Sequence, residues 1–536
     1  METETKNDQF LETTVEHWLN TVNELGYQMP FCQVLLQDGY SVCHNSKQNA
    51  FEQGKDIIAI DKEGVPTGFQ LKGGNISNAR WRSEVYEEIR ELVEYPIVHP
   101  SVKNGQKHIS YLVTNGELED TVRRAIDDLN GDRWKDTPLQ VITKGALLKK
   151  FLDISSHFIP NNVTDYKTFI ELYFTEGTGL IDEEQFCSFI EEILRIKEDG
   201  LSKAERKRNI ASAVLFTSYI VAPFKNKGNH VPILQTLTLL IGYIFALVEK
   251  YSLNEESWKG SVQLIWEEMM FTGQKLQEEI KDDGFSKLHQ SVWDGELGKF
   301  RKHLAMSYLF AYKLSQAIAQ SDSWDDILEQ DFLKKMQKAL FIWGEAAFTT
   351  VFLVYFHMAK KAGPSDRSAS HLLQMALNTL TKSNGRNSQE GLVSSYYGIA
   401  VTARHLLSQL EEPIDESFTG RSQMLWPLVE LLSRKDERLI LEQSWREISY
   451  IAYSEFHPEK MWMHYLWRCE EGEAFDKYPQ ETQSWTGLKE GAMNIDHDKI
   501  PDTIKNFKEY LPFFILVYPH RVTSNYIKYL DEVLFG

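Results

Sequence analysis

Cysteine is scarce in this chain. Cys32, Cys43, Cys187 and Cys469 are four residues among 536, widely scattered and without a CxxC pair, so neither a disulfide framework nor a zinc site is indicated. Reduced thiols in a cytoplasmic protein are the expectation. No GxxxxGK sequence followed by Ser or Thr occurs, which argues against an intrinsic ATP motor. The opening Met-Glu-Thr-Glu-Thr-Lys-Asn-Asp is polar and acidic, unlike the basic start and apolar core of a secretory leader. Uninterrupted apolar runs are also missing. Val231 to Val248 contains Pro232, Gln235 and two threonines, and Phe341 to Ala359 contains Glu345 and His357. A membrane-spanning helix wants about 20 nearly continuous apolar residues, and an embedded glutamate is costly in lipid. Both runs read as buried core helices, with no membrane partner.

Positive charge is in deficit. The formal net charge of −19 excludes a globally basic nucleic-acid binder, because phosphate contacts supply most of such affinity. Residues 1 to 155 hold 17 Lys and Arg against 24 Asp and Glu, a balance of −7, so any DNA-facing surface there must be local. Lys72, Arg80, Arg82, Lys103, Lys107, Arg123 and Arg124 are candidates for it.

What is present is a folded composition: 42% apolar and 25% charged residues, with 13 Trp and 29 Phe. The length calls for two or more domains. Glu12 to Leu25 carries Val15, Trp18, Leu19 and Val22 at helical spacing and meets a stop signal at Gly26. A mixed, extended segment is expected from Phe31 to Val42. Ile57 to Ile60 reads as a strand, Lys62-Glu63-Gly64 as a turn, and Gly68 to Leu71 as the start of the returning strand. Asp56 and Gln70 to Lys72 then fall at neighbouring strand ends. Side chains alternate along a strand, so Gln70 and Lys72 share one face and Leu71 takes the other. A carboxylate, an amide oxygen and an ammonium can thereby converge; the alternative is an ordinary surface ion pair of Asp56 and Lys72 across the hairpin.

A helix over Ser83 to Val93 follows, then strand His108 to Thr114, helix Glu117 to Leu129, strand Leu139 to Ile142 and helix Gly145 to Leu152. Strands alternating with helices imply parallel pairing and a sheet covered on both faces. Beyond Pro160 helical periodicity dominates, in segments such as Ala204 to Val221, Ile233 to Tyr251 and Phe332 to Ala362. Ala362-Gly363-Pro364 offers an internal boundary. Some features carry little. The stretch Phe174 to Phe186 has the outline of a calcium loop without its carboxylates. Lys203, Arg206, Lys207 and Arg208 read as a solvated helix face, and His457 and His464 as packing residues of an aromatic helix.

The Asp56, Gln-x-Lys constellation within an αβββαβ order resembles the PD-(D/E)XK nuclease superfamily, in its Mrr-like restriction-endonuclease branch, over roughly the first 155 residues. The resemblance implies an α/β restriction-endonuclease-like N-terminal domain over 1–157, followed by a large all-α C-terminal region over 158–536, divisible near 363. It implies that Asp56 and Gln70 are ligands of Mg²⁺ or Mn²⁺, that Lys72 is the catalytic lysine beside the attacking water, and that Glu16 on the initial helix is a fourth site residue and metal ligand. Gln70 is neutral where most of the superfamily has a carboxylate, which should weaken the site for a hard cation. The implied activity is metal-dependent endonucleolytic cleavage of double-stranded DNA, as the effector of a prokaryotic anti-phage defence system. The helical region would then control it by homo-oligomerisation or by binding a partner defence protein. The alternative is a non-catalytic helical scaffold or adaptor carrying a degenerate nuclease fold.

Overall fold

The computed structural model describes residues 12–13, 15–45, 54–103, 105–155, 163–283, 296–319, 342–362, 367–386, 388–389, 391–406, 418–469 and 473–536. The chain forms two compact units. One comprises Met1–Gly179, Ser188–Asn229 and Leu253–Phe271, the other Leu180–Cys187, His230–Ser252 and Thr272–Gly536. The first unit thus holds the expected α/β part and several helices beyond residue 157. The boundary suggested near 363 lies outside the described residues.

The first unit is built on a five-stranded sheet in chain order: β1 (Ser41–Asn45), β2 (Ile57–Ile60), β3 (Pro66–Lys72), β4 (Ile109–Thr114) and β5 (Leu139–Ile142). The first three strands pair antiparallel, with a bulge in β1 between Val42 and His44, and β3, β4 and β5 pair parallel. Asp61 makes the β2–β3 turn by accepting the N–H groups of Glu63 and Val65 through Oδ1, at 2.9 and 2.8 Å. Gly64 supplies the left-handed residue there at φ +83°. Parallel strands need a crossover. Between β3 and β4, helix α3 (Asn78–Arg80) runs through a π turn, Trp81–Val85, into α4 (Tyr86–Glu94), and α5 (Asp120–Gly131) bridges β4 and β5. Val85, Ile89 and Leu92 lie with Val122 and Ile126 in one core cluster that also takes in Leu112 of the sheet. Lys55 Nζ reaches Glu91 O at 3.3 Å and His108 Nε2 lies 2.7 Å from Leu92 O, so these residues serve last-turn carbonyls of α4 and anchor it on the sheet.

The N-terminal segment differs from its sequence reading. A first helix, α1 (15–21), ends before Val22, and a second, α2 (Glu24–Gln37), begins at once. Asn23 caps α2, accepting the Gly26 N–H through Oδ1 at 2.9 Å. Gly26 therefore lies in the first turn of a helix, and the residues from Phe31 to Gln37 are helical despite Pro30. A Cβ at Gly26 would stand 2.2 Å from Val22 Cγ2, so the glycine permits the tight α1–α2 corner. Gly26 to Leu35 are all buried, and that burial outweighs the hydrogen bond Pro30 cannot donate. The Phe31 ring meets Phe69 of β3 edge-on at 5.5 Å. The Trp18 ring lies 5.7 Å from Phe151 of α6 (Lys144–Ser155) and 4.6 Å from Tyr219 of helix Lys203–Lys227.

The second unit is chiefly helical but not wholly so. A three-stranded sheet joins β6 (Arg421–Ser422) parallel to β7 (Ala452–His457), and β7 antiparallel to β8 (Glu473–Lys477). The expectation of an all-α region is corrected there. Both strands of the β7–β8 pair carry ionisable side chains, and β7 is buried only at Ala452 and Phe456, so no clean apolar alternation marks it. His457 ends β7 and His464 sits in the 3₁₀ turn Met461–Tyr465, not in one aromatic helix. Helix His230–Tyr251 is long and apolar enough to cross a membrane, and its apolar window is entirely buried. Gly242 at its middle lets the Tyr518 ring approach: a Cβ there would lie 2.4 Å from the Tyr518 hydroxyl.

Candidate functional site

The candidate centre is assembled by the β2–β3 pairing. Asp56 immediately precedes β2. Its backbone N–H donates to Phe69 O at 2.9 Å and its Oδ2 accepts the Leu71 N–H at 2.6 Å, so the residue is tied to β3 on either side of Gln70, its carboxylate by the Leu71 bond. Gln70 and Lys72 point to the side of the sheet on which α4 lies. Both meet the same oxygen there: Gln70 Nε2 donates to Glu88 Oε2 at 3.1 Å, and Lys72 Nζ stands 2.5 Å from it. Glu24, at the start of α2, approaches Lys72 Nζ through Oε2 at 4.0 Å. The structure thus brings Asp56, Gln70 and Lys72 together and adds Glu24 and Glu88.

Glu16 is engaged elsewhere. Its Oε1 pairs with Lys144 Nζ at 2.7 Å, tying α1 to α6, and no hydrogen bond or ion pair joins it to the Asp56 cluster. The carboxylate that the N-terminal helices bring towards Lys72 is Glu24 of α2, at 4.0 Å.

Three carboxylates in a partly dry space are electrostatically costly. Burial pushes the Asp56 carboxyl up to about 7; the Leu71 N–H and Lys72 oppose the shift, while Glu24 and Glu88 add to it. Glu24 is likewise raised, by burial first, against the pull of Lys72. Gln70 is 4% exposed, and its Oε1 is buried with no hydrogen-bond partner. A buried amide oxygen left unpaired is unfavourable. A cation at that oxygen would satisfy it.

The donors are all oxygen, as Mg²⁺ and Mn²⁺ prefer. Among the described residues no three His, Cys, Asp or Glu side chains group closely enough to hold a metal. A cation here would therefore draw on Gln70 Oε1 as well as Asp56, with Glu24 or Glu88 completing the charge. The residues fit such an ion chemically.

The candidate DNA-facing residues divide. Arg80 donates to Gly73 O at 2.6 Å and to Glu84 at 3.2 Å, and Arg123 pairs with Glu117 at 3.1 Å. Arg82, Lys103, Lys107 and Arg124 are exposed. The Lys203 to Arg208 cluster is in part structural, since Arg206 is 2% exposed and donates to Glu198 O at 2.8 Å.

Glu24 and Glu88 were missed from sequence, yet each carried a signal. Asn23 followed by Glu24 is an N-cap followed by an acid, a helix start overshadowed by Gly26 and Pro30. Of the glutamates near α4, Glu88 stands three residues after Val85 and four before Leu92, on the stripe that faces the sheet. Comparison with family models, with curated proteins and with solved structures finds no match to this chain.

Proposed function

We propose that the first unit is a metal-dependent endonuclease of the PD-(D/E)XK type, acting on double-stranded DNA. The observation that carries this reading is the convergence of Asp56, Gln70 and Lys72 on one spot, with Gln70 Oε1 buried and unpaired. Phosphodiester hydrolysis needs a nucleophile drawn from water and compensation of charge developing on the phosphoryl oxygens. A bound Mg²⁺ or Mn²⁺ supplies Lewis acidity and lowers the pKa of coordinated water. Asp56 and Gln70 would hold the ion through oxygen. Lys72 offers a positive charge to the nucleophile and to the developing charge on phosphate, and Glu88 fixes the lysine while tethering Gln70. Glu24 adds the second carboxylate near Lys72. The neutral Gln70 is thereby compensated by carboxylates from α2 and α4.

The biological role we propose is that of a defence effector, held in check by its helical part until it oligomerises or meets a partner protein. The acidic balance of residues 1 to 155 suits low resting affinity for DNA. The test is plasmid cleavage by the purified full chain with Mg²⁺ or Mn²⁺ and with chelator. Weak metal-dependent nicking, in keeping with a restrained effector, that is lost in Asp56→Ala and Lys72→Ala, with each variant still folded, is the expected result. Equal cleavage by both variants would remove these residues from the reaction.

A further inference from the structure

The second unit contains a cavity of ≈ 340 Å³, within the range of small-ligand sites, walled by helices Leu425–Arg434 and Ser524–Phe535, strand β7 and the 3₁₀ turn Met461–Tyr465. We propose that this cavity is a binding site for a neutral nucleoside, a flat heteroaromatic ring with a hydrogen-bonding edge and a hydroxylated tail. The inference does not rest on the nuclease reading.

Charge decides against an ionic ligand. Lys528 is 6% exposed and its Nζ lies 3.0 Å from Glu430 Oε2, also in the wall. Lys499 pairs with Asp496 at 3.6 Å, and Glu455 with Lys477 at 3.9 Å. Each carboxylate of the wall therefore has its own ammonium. A net anion or cation would have to compete with a neighbour already in place, whereas a neutral ligand meets donors and acceptors side by side.

Shape and hydrogen bonding favour an aromatic one. Trp426 lines the cavity and Tyr453 does not; Tyr453 stacks on the indole at 4.5 Å and 13°, bracing it from behind. Such a braced ring is a stacking platform for a base. One helical turn along, Glu430 presents its carboxylate on the same face as Trp426. Asn525 uses Oδ1 on the Asp496 N–H at 3.3 Å, which leaves its amide nitrogen to donate. His464 is 4% exposed and its Nδ1 has no hydrogen-bond partner. An imidazole, an amide and a carboxylate beside an aromatic plane form a set suited to the edge of a base. Thr523 offers a hydroxyl group for a ribose, and Ser524 Oγ, which donates to Glu455 Oε1 at 3.4 Å, can accept from one.

The experiment is calorimetric titration of the full chain with adenosine, guanosine, cytidine and uridine, each beside its 5′-monophosphate and beside a panel of zwitterionic amino acids. One nucleoside should bind at one per chain, its monophosphate no tighter, and Trp426→Leu and Asn525→Ala should each weaken it by about tenfold or more, as loss of a stacked or hydrogen-bonded contact does. Thermal melting establishes that each variant is folded, and a folded Asn525→Ala decides the matter if Trp426→Leu is not. The proposal is overturned if no nucleoside binds saturably, if both folded variants bind unchanged, if the monophosphate binds about tenfold tighter than the nucleoside, or if only amino acids bind.

Discussion

Gln70 carries the clearest chemical consequence at the scale of single residues. Its amide nitrogen donates to Glu88 while its oxygen is left without a partner, and a carboxylate in its place, having only acceptors, removes that donation. In Gln70→Glu the hydrogen bond to Glu88 is lost and two carboxylates face each other. We expect a loss of roughly 1–2 kcal/mol without metal, scaled to a charge-assisted hydrogen bond whose acceptor is partly solvated. Mn²⁺ should reverse the penalty, because the added charge strengthens the hard-oxygen site. Thermal melting with and without Mn²⁺ checks both signs: a lower Tm than wild type alone and a larger rise with the ion. A variant indifferent to metal would mean that position 70 is no ligand.

Among elements, the β2–β3 hairpin was legible because its signals are local. Four apolar residues, a Gly-containing turn and a Gln-x-Lys ending require nothing from elsewhere in the chain. The strands β4 and β5 and their helices were readable for the same reason, apolar runs bounded by turn residues. α2 was not, since Gly26 and Pro30 are breakers by propensity and only tertiary packing makes them helical. The second sheet was hidden by charged residues on short strands. Gly26 offers a direct check on the α1–α2 corner that delivers Glu24 to Lys72. In Gly26→Ala the new methyl meets Val22 Cγ2 at 2.2 Å, and overpacking of this kind costs about 1–3 kcal/mol. Urea denaturation should show a lower midpoint with an unchanged slope; an unshifted midpoint would mean that the corner relaxes freely.

For the whole molecule, the division of the chain matters to how it can be dissected. The unit that contains the sheet draws on helix Lys203–Lys227, whose Tyr219 packs on Trp18 and whose Lys207 carbonyl accepts from Gln37 Nε2 at 3.4 Å. A fragment ending at residue 157 would expose Trp18, Phe151 and the buried face of α2. It should therefore be insoluble or melt at a markedly lower temperature than the full chain, in a way that chain-order domain reading does not anticipate. A fragment 1–157 that folds with a Tm equal to the full chain would show that the later helices add nothing to this unit.

The divalent-ion site proposed at Asp56 also has a pH signature. An acid raised to about 7 in the folded protein and near 3.9 when unfolded contributes stability that is full below the ordinary carboxylate range and lost as pH rises to about 7. Metal binding runs the other way, because the ion requires the carboxylate and competes with its proton. Calorimetric titration of Mn²⁺ into the full chain at pH 8 and pH 6, beside Asp56→Asn, tests this most directly. The expected result is one ion per chain at pH 8, affinity weaker by about tenfold at pH 6 as the proton competes, and no binding at this site in Asp56→Asn. Mn²⁺ uptake equal in wild type and Asp56→Asn, or none in either, would contradict it.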